Sequence, residues 1–372
     1  MTILAVNAGS STLKFALFDD QASQELAAGT EDLGASATDY QVALDRAFHS
    51  VSRQEPLGAI RAVGHRVVHG GVRFRESVRI DAGVLEELSE LSEVAPLHNP
   101  PALRTVAAAR EKLSDATHIA VFDTAFFADL PARACVYPLP YGWYTDWGIR
   151  RFGFHGISHA YCAERAAELL ERSAHGLRIV VCHLGQGCSA TAVRDGKAVA
   201  TTMGFTPMEG LMMGSRSGSV DPGILLHVLR QGLGVEALDE TLNRGSGLFG
   251  VSGVSSDFRE VEAAARTGNA RARLALEIYA DRVRAAVGAL AATLGGLDAL
   301  VFTAGVGENA ASLRASVCGG LEFLGLHLDR ERNETCPPDS DIAAPHSPSR
   351  ILVIRTRENL MIAREAKRLV FP

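Results

Sequence analysis

Apolar residues fall in short blocks of strand length along much of the chain, and the first two blocks flank an unusual link. In residues 3–17, ILAVNAGSSTLKFAL, the apolar runs on either side read as two strands. An ordinary two-residue hairpin is closed by Asn-Gly or Asp-Gly. Here the link carries the hydroxyls of Ser10, Ser11 and Thr12, with Lys14 just beyond. The same strand, turn, strand pattern returns at residues 178–193, RIVVCHLGQGCSATAV. Placing Gly9 on Gly185 also places Asn7 on His183 and each apolar run on its counterpart, an offset of 176 in a chain of 372 residues. The pattern predicts two similar halves, each opening with a hairpin.

Strand and helix signals alternate after each hairpin. The periodicity predicts a strand over 61–69, helices near 82–93 and over 101–113, and a strand over 118–122. In the second half it predicts helices over 157–171 and 271–294, the latter stopped by Gly295-Gly296, and strands over 299–305 and 350–356. The proline-bearing stretch from Cys336 to Arg350 reads as a surface loop. The class is α/β, with helices covering the sheets and a cleft expected between two domains.

Composition narrows the function more than the fold. A hydrophobic content of 47% with 22% charged residues is that of a soluble globular chain, and no segment approaches the roughly 18 uncharged apolar residues of a spanning helix. No membrane association is expected. The first residues lack a basic segment and run straight into a strand pattern, so a signal peptide is not expected and the cytoplasm is the expected location. The six cysteines form no CxxC pair, which argues against a disulfide framework and a zinc site, and they read as small buried hydrophobes. A net charge of −6 without a long basic run gives no footprint for nucleic acid. A phosphate ligand must therefore be held by a few placed cations.

Several stretches offer such cations and donors. In the first hairpin Gly9 allows close backbone approach, Ser10, Ser11 and Thr12 can surround phosphate oxygens, and Lys14 can neutralise charge; a serine-rich turn without a ligand is the alternative. This is not a Walker loop, because its spacing is absent and a strand follows. Arg66 in GHRVVHGG and Arg216 in GLMMGSRSGSVDPG each stand among glycines and apolar residues. Either could form a structural salt bridge, but together they favour an anion clamp. His155 and His159 have the i, i+4 spacing of a zinc helix, yet Gly156 stands where a zinc protease has its glutamate, so hydrogen bonding to an anion fits better. His98 and His183 are further candidates against a default of satisfied core histidines. Asp123 ends an apolar strand and Glu358 begins a helix; each could cap its element or hold Mg²⁺ beside a phosphate. FTAGVGEN, residues 302–309, is a strand entering a glycine turn that suits a flat ligand such as adenosine.

Taken together, VNAGSSTLKF, GHRVVHGG, PLHNPP, FDTAF, RRFGFHGISH, HLGQGCS, GFTPMEGLMMGSRSG, VSSDFRE, FTAGVGEN and ENLMIARE resemble the acetate kinase family, within the sugar kinase, Hsp70 and actin superfamily. The likeness runs from residue 6 to residue 366. It implies two duplicated RNase H-like (actin-like ATPase) domains, the first of residues 1–126 with 362–372 and the second, nucleotide-binding and dimerising, of residues 127–361. It also implies a homodimer and reversible phosphoryl transfer from ATP to acetate, giving ADP and acetyl phosphate, with Mg²⁺ or Mn²⁺. Carried over by position, Arg66, Arg216 and His155 would stabilise the transferring group and Asp123 would help position metal and substrate. Asn7 and Glu358 would support the metal, and His98, Arg150 and His183 would assist. The acetate methyl group would meet Val68, Leu97, Phe154 and Pro207. Ser10, Thr12, Lys14, His183, Gly185, Gln186 and Gly187 would line the phosphate side. Asp257, Phe258, Arg259, Gly305, Val306, Gly307 and Asn309 would form the adenosine pocket.

A carboxylate acceptor is already ionised at neutral pH, so no general base is required; cancelled repulsion between two anions is. Propionate kinases resemble this family with a smaller residue where Val68 stands, so valine favours acetate. A short-chain carboxylate kinase of other preference, or a nucleotide-binding regulator without turnover, is the alternative. The sequence departs from the usual family pattern at Thr12, Phe127, Gln186, Ser219 and Asn359. Gln186 adds a methylene to a tight phosphate turn, where donor affinity is most exposed.

Overall fold

The structure, a computed structural model, describes residues 1–9, 12–33, 37–93 and 99–371. The chain divides into two compact units, the first of Met1–Ala128, Phe154–Tyr161 and Arg357–Pro372, the second of Asp129–Gly153 and Cys162–Thr356.

The first unit is built on β1 (Thr2–Ala8), β2 (Thr12–Asp19), β3 (Glu25–Asp32), β4 (Ile60–Val67), β5 (Val78–Arg79) and β6 (Thr117–Phe122), in the spatial order β3-β2-β1-β4-β6-β5. β1 pairs antiparallel with β2 and parallel with β4, β4 pairs parallel with β6, and β5 is an antiparallel edge. β1 is buried on both faces, which is why it reads as an unbroken apolar run. Leu4 and Val6 face a core shared with Tyr40, Leu44 and Phe48, whereas Ile3 and Ala5 face Ile362, Ala363 and Ala366. The helix Glu358–Val370 thus covers the second face. It lies so close to β4 that a Cβ at Gly64 would come within 2.6 Å of Ile362 Cγ2.

The second unit repeats this plan with β7 (Arg178–Leu184), β8 (Cys188–Arg194), β9 (Lys197–Thr201), β10 (Ala299–Thr303), β11 (Ser340–Asp341) and β12 (Arg350–Val353). Its spatial order, β11-β12-β10-β7-β8-β9, is that of the first sheet strand for strand, including the antiparallel edge against the last parallel strand. Shifting β1 by 176 residues lands on β7, so the duplication expected from the hairpin motifs is a duplication of whole sheets. The helix Ala270–Leu294 starts at Asn269, whose side chain accepts from Ala272 N–H, and stops at Gly295, whose φ of 69° no β-branched residue would tolerate.

Three expectations need correction. The segment after β10 is not a glycine turn but a short helix, Ala304–Asn309, entered through Ala304 at φ 64°. The stretch Cys336 to Arg350 is not all surface loop: Ile342 and Ala343 are fully buried, drawn in by pairing of β11 with β12. Among the cysteines, Cys188 is more than a buried hydrophobe, since its sulfur hydrogen-bonds Tyr279 and Gly185.

A buried histidine pair lies between β4 and β6. His118 Nε2 contacts Leu113 O at 3.1 Å, and His118 Nδ1 meets His65 Nε2 at 2.9 Å. This assigns both protons to Nε2 and leaves His65 Nδ1 buried without a partner. Burial is the main cause that pushes both pKa values down; His118 and Arg110 push the His65 value further, whereas the hydrogen bond to Leu113 O partly opposes the shift at His118 before Arg110 adds to it. The unfolded rings bind protons below about pH 6.5 while the folded ones resist, so stability falls as pH falls, by up to about 1.4 kcal/mol per pH unit for each ring. Urea midpoints should drop between pH 7.5 and 5.5, and drop less in His118→Gln. A midpoint independent of pH would mean that the folded rings bind protons as readily as the unfolded ones, against the burial argument.

Candidate active site

In the first unit, four of the sequence-predicted residues meet at the carboxyl ends of the parallel strands, where open α/β sheets place their ligands. Arg66 on β4 donates through Nε to Asp123 Oδ1 at 3.0 Å and through Nη2 to Asp123 Oδ2 at 2.6 Å. Its Nη1 donates to Asn7 Oδ1 at 3.2 Å, and Asn7 Nδ2 donates to Glu358 Oε2 at 2.9 Å. The four residues come from β1, β4, the end of β6 and the first turn of a helix more than two hundred residues away in sequence. Burial opposes the Arg66 charge, but the Asp123 carboxylate more than restores it, and the guanidinium pKa lies above the ordinary arginine value. Burial, only partly offset by Arg66, lifts the Asp123 carboxyl upward.

His155 donates its backbone N–H to Asp123 and holds φ at 59°, a left-handed conformation uncommon for histidine. Gly156 follows, and its N–H donates to Asp123 O at 2.9 Å. A Cβ at Gly156 would stand 2.2 Å from that same oxygen, so glycine is required by close approach of the FDTAF and GFHG segments. Val68 and Phe154 are buried in this unit, with His69 edge-on to Phe154 at 5.4 Å between centroids. Thr12 is half-buried and its carbonyl accepts from Gly9 N–H at 2.8 Å, while Lys14 is exposed on β2 opposite Asn7. Ser10, Leu97 and His98 lie outside the described residues.

In the second unit, three separate motifs surround one cavity of about 590 Å³. Gly185 and Gln186 from the β7–β8 turn, Asp257, Phe258 and Arg259 from a helix start, and Gly305, Val306 and Asn309 from the helix after β10 all line it. That volume lies within the usual range for a nucleotide-sized ligand. Asp257 caps its helix by accepting from Arg259 N–H at 2.8 Å, and the Arg259 side chain first, then that N–H, holds its carboxyl below the ordinary range. Gln186 is accommodated by Gly214, where a Cβ would stand 2.5 Å from Gln186 Nε2. Gly187, Gly307 and His183 are not in the lining; Gly307 is buried behind it and His183 sits on β7 beside β10. Sequence reasoning missed Leu248, Ser256, Glu262 and Ala310. Ser256 and Ala310 adjoin recognised motifs, whereas Leu248 gives no local signal because it is one apolar residue among many.

Arg216 is held differently from Arg66. Its Nη1 donates to Pro207 O at 2.6 Å, and no carboxylate pairs with it among the described residues. Burial pushes its pKa down, as expected of a cation short of negative company. The loop bearing Pro207 is itself braced by residues that sequence reasoning did not single out. Arg151 donates to Glu209 Oε1 at 2.6 Å and to Thr202 O and Met203 O at 3.0 and 2.9 Å, and Tyr137 Oη donates to Glu209. Arg150 packs its guanidinium 5.8 Å from the Phe152 ring centroid.

The chain is similar to known proteins over nearly its whole length. The model of the Acetokinase family matches residues 27–364. An acetate kinase of Nostoc punctiforme is 49% identical over 397 aligned positions, covering 98% of each chain. The crystal structure of Porphyromonas gingivalis acetate kinase superposes with a TM-score of 0.88 at 38% identity, covering 99% of each chain. A propionate kinase from Francisella tularensis superposes with a TM-score of 0.91 at 37% identity, again over 99% of each chain.

Proposed function

The chain belongs to the acetokinase family, and from that premise we propose that it transfers the γ-phosphoryl group of ATP to acetate, reversibly, giving ADP and acetyl phosphate. The observation that carries the nucleotide part is the cavity of about 590 Å³ that gathers three distant motifs in the second unit.

The acetate carboxylate attacks the γ-phosphorus as the bond to the β,γ-bridging oxygen breaks, and ADP leaves with that electron pair. No base is needed, and Asp123 is not one: both its oxygens accept hydrogen bonds from Arg66. Its role is to fix the Arg66 guanidinium, whose charge then offsets that of the phosphoryl oxygens. Arg216 arrives with its positive charge uncancelled by a carboxylate, so it acts most strongly as charge spreads over the equatorial oxygens. His155 adds a further donor. Ser10, Thr12, Lys14 and His183 are assigned to the phosphates, Val68, Leu97, Phe154 and Pro207 to the acetate methyl group, and His98 and Arg150 to support.

The oxygen donors near Arg66 fit a hard cation such as Mg²⁺, with Glu358 as ligand and Asn7 as its holder, because Asn7 Oδ1 is already taken by Arg66. Among the described residues no group of three or more His, Cys, Asp or Glu could hold a metal, so phosphate oxygens and water would complete the coordination. Bound there, Mg²⁺ would neutralise phosphate charge. A homodimer through the second unit is supported by its exposed Ile224, Leu226, Val235, Phe249 and Leu274. No described helix is long and apolar enough to cross a membrane. A cytoplasmic location is proposed from membership of the family alone.

Hydroxylamine trapping of acyl phosphate with Mg·ATP and acetate, propionate or butyrate tests the reading. Acetyl hydroxamate should form fastest, with propionate slower by roughly 10- to 200-fold, the discrimination expected for one methylene. Equal rates with all three acids would remove Val68 from the specificity argument, and no hydroxamate with any acid would end the kinase reading.

A further inference from the structure

Two walls of the nucleotide cavity are tied together from behind by a pair of side chains that do not line it. Cys188, the first residue of β8, contacts Gly185 O at 3.3 Å with its sulfur and Tyr279 Oη at 2.9 Å. Tyr279, on the helix Ala270–Leu294, sets its ring edge against Phe258 at 5.8 Å between centroids and 65° between planes. Gly185 and Phe258 both line the cavity, from two different segments of the chain. The turn itself is closed by Gly185 N–H donating to Gly187 O at 3.0 Å.

Proton accounting makes the arrangement specific. Gly185 O can only accept, so the thiol proton points to it; the sulfur must then accept from the Tyr279 hydroxyl. Each group has one proton and each is used. Both side chains are buried, Cys188 completely and Tyr279 to within 1%. Burial first pushes the Cys188 thiol up to about 11, so it stays protonated as the donor this network requires. A purely apolar core would fill the same space without either hydrogen bond.

Building on the nucleotide-site reading above, we infer that Tyr279 and Cys188 are positioning residues for the nucleotide, holding the 185–187 turn in register with the Phe258 wall. They touch no reacting atom, so their loss should weaken nucleotide binding and leave the acetate side alone.

The experiment measures KM for ATP, KM for acetate and kcat, with the Kd of ADP by calorimetry, in wild type, Tyr279→Phe, Cys188→Ala, Cys188→Ser and the Tyr279→Phe/Cys188→Ala double variant. Tyr279→Phe removes one oxygen and keeps the ring, so it preserves the core. The expected result is a rise of roughly 3- to 10-fold in KM for ATP and in Kd for ADP for Tyr279→Phe and Cys188→Ala, the scale of one hydrogen bond. KM for acetate and kcat should stay within about 2-fold, the estimate for interactions made only with bound nucleotide. Cys188→Ser, whose hydroxyl repeats both hydrogen bonds, should recover most of the affinity. The double variant should be no worse than Cys188→Ala alone, because the two changes break one connection. Unchanged Kd for ADP, or equal shifts in both substrates, would overturn the inference, as would a wild-type chain that does not bind ADP. A wild-type chain that binds ADP but makes no acetyl phosphate would refute the acetate reading, and the positioning pair would then stand or fall on the ADP Kd values.

Discussion

Arg216→Ala should lose at least about 1,000-fold in acetyl phosphate formation and yet unfold at the same denaturant concentration as the wild type, or a slightly higher one. The loss follows from the role proposed for Arg216, stabilising charge on the transferring phosphoryl group, a contribution of about 10³ to 10⁵ in turnover for an arginine in that role. The unchanged stability follows from how the side chain is held. Its guanidinium donates to Pro207 O, no carboxylate pairs with it among the described residues, and burial lowers its pKa. Folding brings this charge partly out of water without a counter-ion, so alanine removes a cost along with one hydrogen bond, and the two nearly cancel to within about 1 kcal/mol. Hydroxamate assays and urea midpoints on the same preparations decide the matter. Retained turnover would take Arg216 out of the mechanism, whereas a loss of several kcal/mol would make it a structural residue.

Asp123→Ala should have the opposite signature on stability and a comparable one on activity. Both carboxylate oxygens of Asp123 are bonded to Arg66, and the arginine is largely buried. Deleting the carboxylate leaves that guanidinium without its main partner, which costs about 3 to 5 kcal/mol for a buried pair. Asn7 and Glu358 lie on the same chain of hydrogen bonds, so the side proposed to hold the metal should loosen as well. Turnover is expected to fall by at least about 100-fold, since a misplaced charge no longer matches the developing one. Asp123→Asn keeps the shape and one acceptor, and should fall between wild type and alanine on both measures. If the urea midpoint of Asp123→Ala matched that of wild type, the Arg66–Asp123 pair would not be the structural anchor described above.

Three of the five departures from the family pattern are absorbed locally, whereas Asn359 keeps a buried Oδ1 without a hydrogen-bond partner among the described residues. Phe127 is buried and sets its ring edge-on to His159 at 6.0 Å. Ser219 closes a small loop, accepting from Gly210 N–H through Oγ at 3.0 Å and donating its own N–H to Gly210 O at 2.9 Å. Gln186 finds room because Gly214 presents no Cβ. Gln186 and Ser219 lie in the second unit, and Phe127, in the first, takes part in none of the hydrogen bonds that join Arg66, Asp123, Asn7 and Glu358.

The strands of the two opening hairpins, the capped helix Ala270–Leu294 and the 176-residue repeat were legible in the chain because alternation, capping and turn chemistry are local. The candidate site residues were legible as types: glycine-flanked arginines, a carboxylate at a strand end, and glycines in the turns that line the cavity. What only the tertiary structure decided was partnership. Arg66 and Arg216 look alike in sequence, yet one is locked to a carboxylate 57 residues away and the other meets only a carbonyl. Leu248 lines the cavity of the second unit and Cys188 joins Tyr279, 91 residues on, with nothing in their neighbours to mark either. Ile342 and Ala343 were hidden inside a polar, proline-bearing run for the same reason. Periodicity is written by residues a few positions apart, whereas a hydrogen bond or a burial partner is chosen by distance in space, which exists only once both sheets have closed.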